Sequence, residues 1–247
     1  MNLLKLIFGK IWAVWALLWF VITMLIFFIP FLIINTLPEP RKTRLFISYA
    51  RVWMAVYLPG IGCPLTVKGK EHFKEGENYI VVCNHNSLMD VPVSSPAIPG
   101  GNKTIAKMEF ARVPLFGLLY TMGSVLVDRK SERSRKESFA KMKQVLAMGL
   151  HMCIYPEGTR NLTSEPLKAF HDGAFRLAAD TRKKLLPALI FHTPKVLPPG
   201  KGFFLWPHPL QMHFLEPVGM QEGETIDALK ERVFRIMWDY FVSRPAS

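Results

Sequence analysis

From Leu65 onward, short apolar runs alternate with helical patterns, and this alternation constrains the fold more than any other feature of the chain. Apolar or β-branched runs that end at Gly, Asn or Pro predict buried strands. The predicted strands are Leu65–Lys68, Tyr79–Asn84, Lys103–Ala106, Ser124–Val127, His151–Tyr155, Leu186–Phe191 and Gln211–Leu215. The predicted helices are Leu88–Val93, Glu109–Met122, Ser131–Met148, Gly173–Thr181 and Thr225–Phe241. This order of elements predicts an α/β fold whose mixed, largely parallel sheet is flanked by helices.

The N-terminal part of the chain is apolar enough to enter a membrane. No charged residue occurs between Ile11 and Pro38. A single helix of that length would span roughly 42 Å, more than the ~30 Å hydrocarbon core, so Pro30 is expected to divide it. A signal peptide would have a shorter apolar core and a small-residue cleavage site, and a buried core helix is disfavoured because no polar face is present. We therefore expect a retained membrane anchor.

A second helix is predicted between Pro40 and Pro59, where apolar residues recur at spacings of one, three and four beside basic residues. This pattern is typical of a basic amphipathic helix in the membrane interface, or of a helix that packs on a globular domain. Residues 1–59 are thus expected to form a membrane-embedded two-helix segment, followed by an α/β domain over residues 60–247. Basic residues flank the first helix on both sides, so it either crosses the bilayer or returns within one leaflet.

The formal net charge of +12 requires an acidic partner, which can be nucleic acid, an anionic membrane or an anionic substrate. No nucleic-acid partner is expected, because basic and aromatic residues are not interleaved and no recognition motif is present. The basic run on the predicted helix Ser131–Met148 is either a solvated face or a contact for anionic headgroups or an acidic carrier protein. Cys63, Cys83 and Cys153 contain no C-x-x-C pair, and we expect reduced, buried thiols rather than a zinc site or disulfides.

The stretch Thr193–Pro209 contains five prolines and is predicted to be irregular. It includes an aromatic and apolar cluster, Phe203–Trp206. This cluster is expected either to rest on lipid or to fold back on the core.

Two short polar segments directly follow predicted strands, and the first of them, His85–Asp90, offers a general base. A histidine beside a carboxylate can take a proton from an alcohol, because the carboxylate stabilises the imidazolium. Asp90 also has a structural explanation, since Ser87 and Asp90 have the spacing of a helix capping box.

The second segment, Pro156–Arg160, offers an anion-binding site. Gly158 suits a tight turn, and Arg160 suits a phosphate, which a guanidinium binds through paired donors. The alternative for Arg160 is an ordinary surface position near an acidic residue. The ends of parallel strands share one edge of a sheet, so Lys107 and Arg129, which follow other predicted strands, would join both segments in a positively charged cleft.

Four blocks of sequence, in this order along the chain, carry a family resemblance. They are Asn84–Asp90, the stretch from Lys107 to Arg129, Tyr155–Arg160 and Leu186–Ile190. With these blocks the chain resembles the bacterial 1-acyl-sn-glycerol-3-phosphate acyltransferases, within the wider glycerolipid acyltransferase family. The similarity extends from about Cys63 to Val218.

The resemblance implies a role for each matching residue. His85 would be the general base on the acceptor hydroxyl, and Asp90 would orient and stabilise it. The acceptor phosphate would be bound by a group of strand-end residues: Lys107, Arg129, Glu157, Gly158, Thr159 and Arg160. Pro187 would lie on the acyl-donor side, and neither a metal nor an organic cofactor is implied. Where the family often has F-K-x-G, this chain has Phe170–Gly173 with a histidine at the second position, so Lys168 is the candidate for the missing lysine.

These features together predict a membrane-bound O-acyltransferase. It would move an acyl group from acyl-CoA or acyl carrier protein to the sn-2 hydroxyl of lysophosphatidic acid, giving phosphatidic acid. Its partners would be membrane phospholipids in the cytoplasmic (inner) membrane, with the catalytic domain facing the cytoplasm. The backbone near Ser87 is the candidate oxyanion donor set.

Two alternatives remain open at this point. The first is the same chemistry on a lysophosphatidylcholine-type lipid, an amino-acid lipid or glycerol 3-phosphate. The second is a non-catalytic protein that binds lipid or an acyl carrier. Acyl-chain length, donor type and oligomeric state do not follow from the sequence.

Overall fold

The computed structural model describes residues 3–128 and 130–244. Its strands are β1 (Leu65–Lys68), β2 (Ile80–Cys83), β3 (Asn102–Lys107), β4 (Ser124–Val127), β5 (His151–Ile154), β6 (Leu185–Phe191) and β7 (Leu210–Phe214). Its α-helices are α1 (Leu3–Asn35), α2 (Arg41–Gly60), α3 (Asp90–Ala97), α4 (Phe116–Met122), α5 (Glu132–Ala147), α6 (Gly173–Thr181), α7 (Thr193–Val196) and α8 (Ile226–Val242).

All of these strands form one sheet in the order β1-β7-β6-β2-β5-β3-β4. The strands from β6 to β4 in this order are parallel to their neighbours, whereas β7 is antiparallel to β6 and carries β1 with it. The predicted α/β fold with a mixed, largely parallel sheet is therefore confirmed. Strands β2 and β5 are neighbours at the centre of the sheet, so their carboxyl ends lie side by side.

The sheet separates two hydrophobic cores. Alternate residues of a strand point to opposite faces, and accordingly Val81 and Cys83 of β2 lie in one core while Ile80 and Val82 lie in the other. The first core contains the buried faces of α1, α2, α3 and α4. The second contains those of α5, α6 and α8. We call these two sides the α1 face and the α8 face.

Helix α1 is continuous, so the prediction that Pro30 divides it is wrong. The proline removes one intrahelical hydrogen bond, but packing holds the turns around it. The next residue, Phe31, is fully buried, and its ring contacts three aromatic rings of α2, those of Phe46, Tyr49 and Trp53. In the described part of the chain, α1 is the helix long and apolar enough to cross a membrane, with a mean hydropathy of 2.9 over its most apolar window.

Helix α2 packs between α1 and the α/β domain, which is the second of its two predicted arrangements. Its residues Ile47, Trp53 and Leu58 are buried in the first core. Arg51 reaches α3, where its Nε donates to the Pro96 carbonyl at 2.8 Å. The division of the chain at residues 59 and 60 stays a prediction, and α1 and α2 share one core with the sheet.

One other segment differs from the sequence predictions, and the Pro-rich stretch after β6 agrees with them apart from one helical turn. The predicted helix Glu109–Met122 is wrong: a 3₁₀ turn at Met108–Arg112 is separated from α4 because Pro114 holds Val113 in an extended conformation. The Pro-rich stretch after β6 is irregular apart from the single turn α7. Within it, Phe204 and Leu205 are buried and Leu205 N donates to the Gly9 carbonyl of α1, so the cluster folds back.

Candidate active site

The first polar segment is fixed at the centre of the sheet edge. After β2 ends, the Asn84 side chain exchanges two hydrogen bonds with the backbone of Ile190 in β6, at 3.0 and 2.7 Å. This contact ties the chain to the neighbouring strand immediately before His85. The imidazole of His85 therefore projects from a rigid strand end, with 19% of its side chain exposed.

His85 and Asp90 are in direct contact. His85 Nδ1 lies 2.8 Å from Asp90 Oδ2, and the Asp90 side chain is 1% exposed. The same oxygen accepts from the backbone N–H groups of Asn86 and Ser87, each at 2.7 Å. The latter bond is the carboxylate half of the predicted capping box. Asp90 thus both begins α3 and engages Nδ1, which leaves Nε2 as the nitrogen of His85 that can accept a proton.

Thr193 completes the surroundings of Asp90, and it was missed in the sequence analysis. Its buried hydroxyl donates to Asp90 Oδ1 at 2.5 Å. Thr193 follows β6, which lies next to β2 in the sheet. A polar residue after a strand was a visible signal, but the strand order that brings it to Asp90 was not.

The second segment is joined to the first through Glu157. This carboxylate is 1% exposed; Oε1 accepts from His85 N at 2.8 Å and Oε2 accepts from Lys168 N at 2.9 Å. Burial raises the pKa of Glu157 above its ordinary value, against the lowering effect of these two donors. In return, Asn161 N donates to the His85 carbonyl. Glu157 therefore shapes the site by fixing two backbone segments, and its own oxygens do not line the cleft.

Tyr155 supports the imidazole from the neighbouring strand end. Its ring stacks on that of His85, with centroids 4.5 Å apart. Its hydroxyl is 2.7 Å from Ser94 Oγ on α3, and burial raises the pKa of Tyr155 well above its usual range. The ring is therefore a neutral wall that limits the rotation of His85.

A cavity of about 730 Å³ opens beside His85 and runs along the α1 face. Its inner part is apolar, and the side chains that form it include Phe20, Phe46, Trp53, Met54, Phe116 and Leu119. Its mouth carries the polar strand-end residues Lys107, Gly158, Thr159, Arg160 and Lys168. The structure thus brings the two polar segments and Lys107 together at one edge, as a parallel sheet requires.

The predicted phosphate residues differ in their freedom to bind an anion. Within residues 3–128 and 130–244, neither the Lys107 side chain nor the Arg160 side chain has a hydrogen-bond or ion-pair partner. Thr159 Oγ1 accepts from Lys168 Nζ at 2.8 Å, so the candidate replacement lysine stands at the mouth. Arg129 lies outside the described residues.

Two other predictions concern Pro187 and the backbone near Ser87. Pro187 lies inside the sheet, in register with Val82 of β2, and does not line the cavity. Near Ser87, the backbone N–H groups of Asn86 and Ser87 donate to Asp90 Oδ2 and that of Met89 donates to Ser87 Oγ, so these three groups are already engaged, and the oxyanion donor set stays a prediction. The described residues contain no group of three or more His, Cys, Asp or Glu placed to hold a metal ion.

The site consists of a His–Asp pair at the carboxyl edge of a mixed sheet, beside an apolar cavity with a cationic mouth. Comparison of the sequence with known families agrees with this arrangement. The chain belongs to the Acyltransferase family, whose sequence model matches residues 64–191, slightly more than half of the 247 residues.

Individual relatives within this family share one name. A 1-acyl-sn-glycerol-3-phosphate acyltransferase of Cocos nucifera is 30% identical over 184 residues, which cover 73% of this chain but only 58% of the relative. An enzyme of the same name from Borreliella burgdorferi is 26% identical over 79% of this chain and 76% of its own length. Among solved structures, the LPA acyltransferase PlsC of Thermotoga maritima is 21% identical, with a TM-score of 0.80 over 96% of both chains. This last likeness shows the fold.

Proposed function

We propose that the protein transfers a fatty acyl group from an acyl thioester to the sn-2 hydroxyl of lysophosphatidic acid, giving phosphatidic acid. One observation carries the proposal: His85, held by Asp90, faces a cavity that is cationic at its mouth and apolar inside. The cations suit the acceptor phosphate, and the apolar interior suits an acyl chain. The names of the relatives from Cocos nucifera and Borreliella burgdorferi support this choice of acceptor.

The reaction begins with removal of a proton. His85 Nε2 takes the proton of the acceptor hydroxyl while the oxygen attacks the thioester carbonyl carbon. Collapse of the tetrahedral intermediate breaks the carbon–sulfur bond, and the imidazolium returns the proton to the leaving thiolate. Asp90 stabilises the imidazolium between these two steps. The donor thioester belongs to coenzyme A or acyl carrier protein, which are co-substrates rather than bound cofactors.

The proposed location is the cytoplasmic face of the inner membrane, with α1 in a single leaflet. Gly9 and Phe31 of α1 contact the rest of the folded protein through Leu205 and Phe46, respectively. These two contacts are roughly 33 Å apart along the helix, about the thickness of the hydrocarbon core. A helix that crossed the bilayer would have to leave one of these contacts, so α1 is expected to lie along the membrane surface with its exposed apolar side in lipid.

The proposal is tested by acyl transfer in detergent solution. Lysophosphatidic acid and lysophosphatidylcholine are offered side by side, first with acyl-CoA and then with acyl carrier protein as donor. Wild type is compared with His85→Ala and with His72→Ala, a control histidine outside the cavity lining. We expect phosphatidic acid from wild type and the control, and a loss of roughly 10²–10⁴ in rate for His85→Ala, the usual value of general-base help.

Each other outcome contradicts a definite part of the proposal. Transfer to the choline lipid alone would keep the chemistry but change the acceptor. No transfer with either donor would favour a non-catalytic binding protein. Equal rates for His85→Ala and wild type would remove His85 from the mechanism.

A further inference from the structure

Large apolar side chains are exposed at and beside the mouth of the cavity: three of them line it, Leu88, Phe110 and Leu162, and the other three share the loop of Phe110. They are Leu88, Met108, Phe110, Val113, Leu115 and Leu162, and between 40% and 70% of each residue is exposed. We call this set the apolar rim. It is drawn from three separate loops, those that follow β2, β3 and β5. Scattered apolar residues are normal on a protein surface, but a group from three loops around one opening marks an interaction surface.

The rim is continuous with helix α1. Helices α3 and α4, next to which most rim residues lie, are packed in the first core and so belong to the α1 face. Phe20 of α1 contacts Phe116, the residue after Leu115, with ring centroids 6.1 Å apart. A flat surface that covers the exposed side of α1 can therefore reach the rim without crossing to the other side of the sheet.

We propose that the apolar rim is a second membrane-contact surface, which inserts into the same leaflet as α1 and seals the cavity mouth onto the bilayer. Two exposed cations flank Phe110 in the chain, Lys107 at the end of β3 and Arg112 in the loop after it, and both suit anionic headgroups. An acidic acyl carrier would be attracted by these cations too. It would not require six exposed apolar side chains, nor their continuity with a membrane helix, so the bilayer fits the surface better.

The consequence is a lateral route for the lipid. With the rim in the leaflet, a lysolipid enters the mouth from the bilayer and its tail never passes through water. The basic run on α5 has no part in this contact, because α5 packs in the second core and lies on the α8 face. In that position the basic run of α5 is either a solvated face or a contact for a soluble, acidic carrier protein.

The depth of the rim can be measured directly. The native cysteines are free and buried, so a nitroxide can be attached selectively to Val113→Cys, which does not line the cavity. In vesicles of phosphatidylglycerol and phosphatidylethanolamine, we expect this nitroxide to collide more with oxygen than with a water-soluble nickel chelate. A nitroxide on Val242→Cys, exposed on α8, should show the reverse. Water-level accessibility at position 113 in vesicle-bound protein would overturn the proposal.

A rate measurement checks the consequence and rests on the proposed function, whereas the depth measurement does not. Val113→Asp should lower transfer to long-chain lysophosphatidic acid in vesicles about tenfold. Burial of a valine side chain in the bilayer changes a binding constant by about this factor, and a charged aspartate loses that contribution. Transfer to a short-chain, monomeric lysophosphatidic acid should be retained, and Val242→Asp should change neither. Equal losses on both substrates would indicate donor docking and overturn the membrane assignment. An inactive wild type with a deeply inserted nitroxide would reject only the proposed function.

Discussion

At the scale of single residues, the site depends on how Asp90 is held rather than on His85 alone. Both oxygens of this buried carboxylate are engaged: Oδ2 by His85, Asn86 and Ser87, and Oδ1 by Thr193. Hydrogen bonds to a buried charge are stronger than those in water and costly to remove. Each donor therefore fixes the position from which Asp90 would stabilise the imidazolium in the proposed mechanism.

Removing the Thr193 hydroxyl should slow the reaction without weakening substrate binding. Thr193→Val is expected to lower kcat roughly 10- to 100-fold, since a hydrogen bond to a charged group contributes about 1.5–3 kcal/mol. KM should stay unchanged, because Thr193 is fully buried and does not line the cavity in which the substrate would bind. Steady-state kinetics with a thermal melt as folding check measure this, and Thr193→Ser, which keeps the hydroxyl, is the control. Equal kcat values for the two variants would contradict the assignment.

Arg160 should act mainly on acceptor affinity. Arg160→Ala is expected to raise KM for lysophosphatidic acid roughly tenfold or more, with a smaller change in kcat, because a charged hydrogen bond is lost in ground and transition states alike. The KM of Arg160→Lys should lie between those of wild type and Arg160→Ala, since an ammonium group keeps the charge but cannot supply paired donors. Arg133→Ala removes an exposed cation of α5 as control. An unchanged KM for Arg160→Ala would remove this residue from the phosphate site.

At the scale of elements, the loop after β5 is held in one shape by contacts to the loop after β2. Glu157 binds His85 N and Lys168 N, and His171 N donates to the Pro156 carbonyl. Between these anchors the chain turns at Gly158, whose φ is +70°. This turn presents Thr159 and Arg160 to the mouth of the cavity.

Gly158→Ala should disturb the mouth of the cavity in two ways: by backbone strain and by a clash between the added methyl group and a neighbouring side chain. An added Cβ would lie 2.7 Å from the His171 ring, whereas at Gly223, with φ +74°, it would meet nothing within 4 Å. Both Gly→Ala changes should cost about 1–2 kcal/mol for the left-handed conformation. Only Gly158→Ala should also lower kcat/KM, and His171→Ala in the same chain should restore part of it. Identical effects at both glycines would show that the His171 contact is unimportant.

At the scale of the whole molecule, stability should depend on pH through a buried histidine at the start of β5. Burial lowers the pKa of His151 from its ordinary 6.5 to about 4, and Nδ1 accepts from Tyr79 N at 3.0 Å. Between these pH values the unfolded chain binds a proton that the folded protein does not. The free energy of unfolding should therefore fall as the pH is lowered from 6.5 towards 4, by at most roughly 3 kcal/mol.

His151→Asn should remove this part of the dependence, because the amide oxygen can still accept from Tyr79 N but does not titrate. Unfolding in detergent at several pH values measures it for both proteins. His213, whose pKa burial also lowers to about 4, is present in both and contributes equally. Parallel pH curves for the two proteins would contradict the prediction.

The sequence predicted the strands well, and it also predicted that the two polar segments and Lys107 would meet at one edge of the sheet, but it did not predict several other contacts between distant segments. Every strand lies within one residue of its predicted range, because an apolar run bounded by Gly, Asn or Pro leaves few alternatives. The antiparallel edge formed by β1 and β7, the continuity of α1 through Pro30 and the contact of Thr193 with Asp90 all depend on tertiary packing. None of these three features has a local sequence pattern, so none could be predicted from the sequence alone.

Two of the tryptophans of α1 make this helix inseparable from the domain. Trp12 and Trp15 donate their indole N–H groups, each at 3.0 Å, to the carbonyls of Ile61 and Gly60, where α2 ends. An exchange of α1 for another hydrophobic segment of equal length would leave these carbonyls without donors and uncover the aromatic side of α2. Truncation before α2 should therefore yield an insoluble or unfolded chain rather than a soluble enzyme. Substitutions in this helix are limited by its fit to the protein as well as by its proposed contact with lipid.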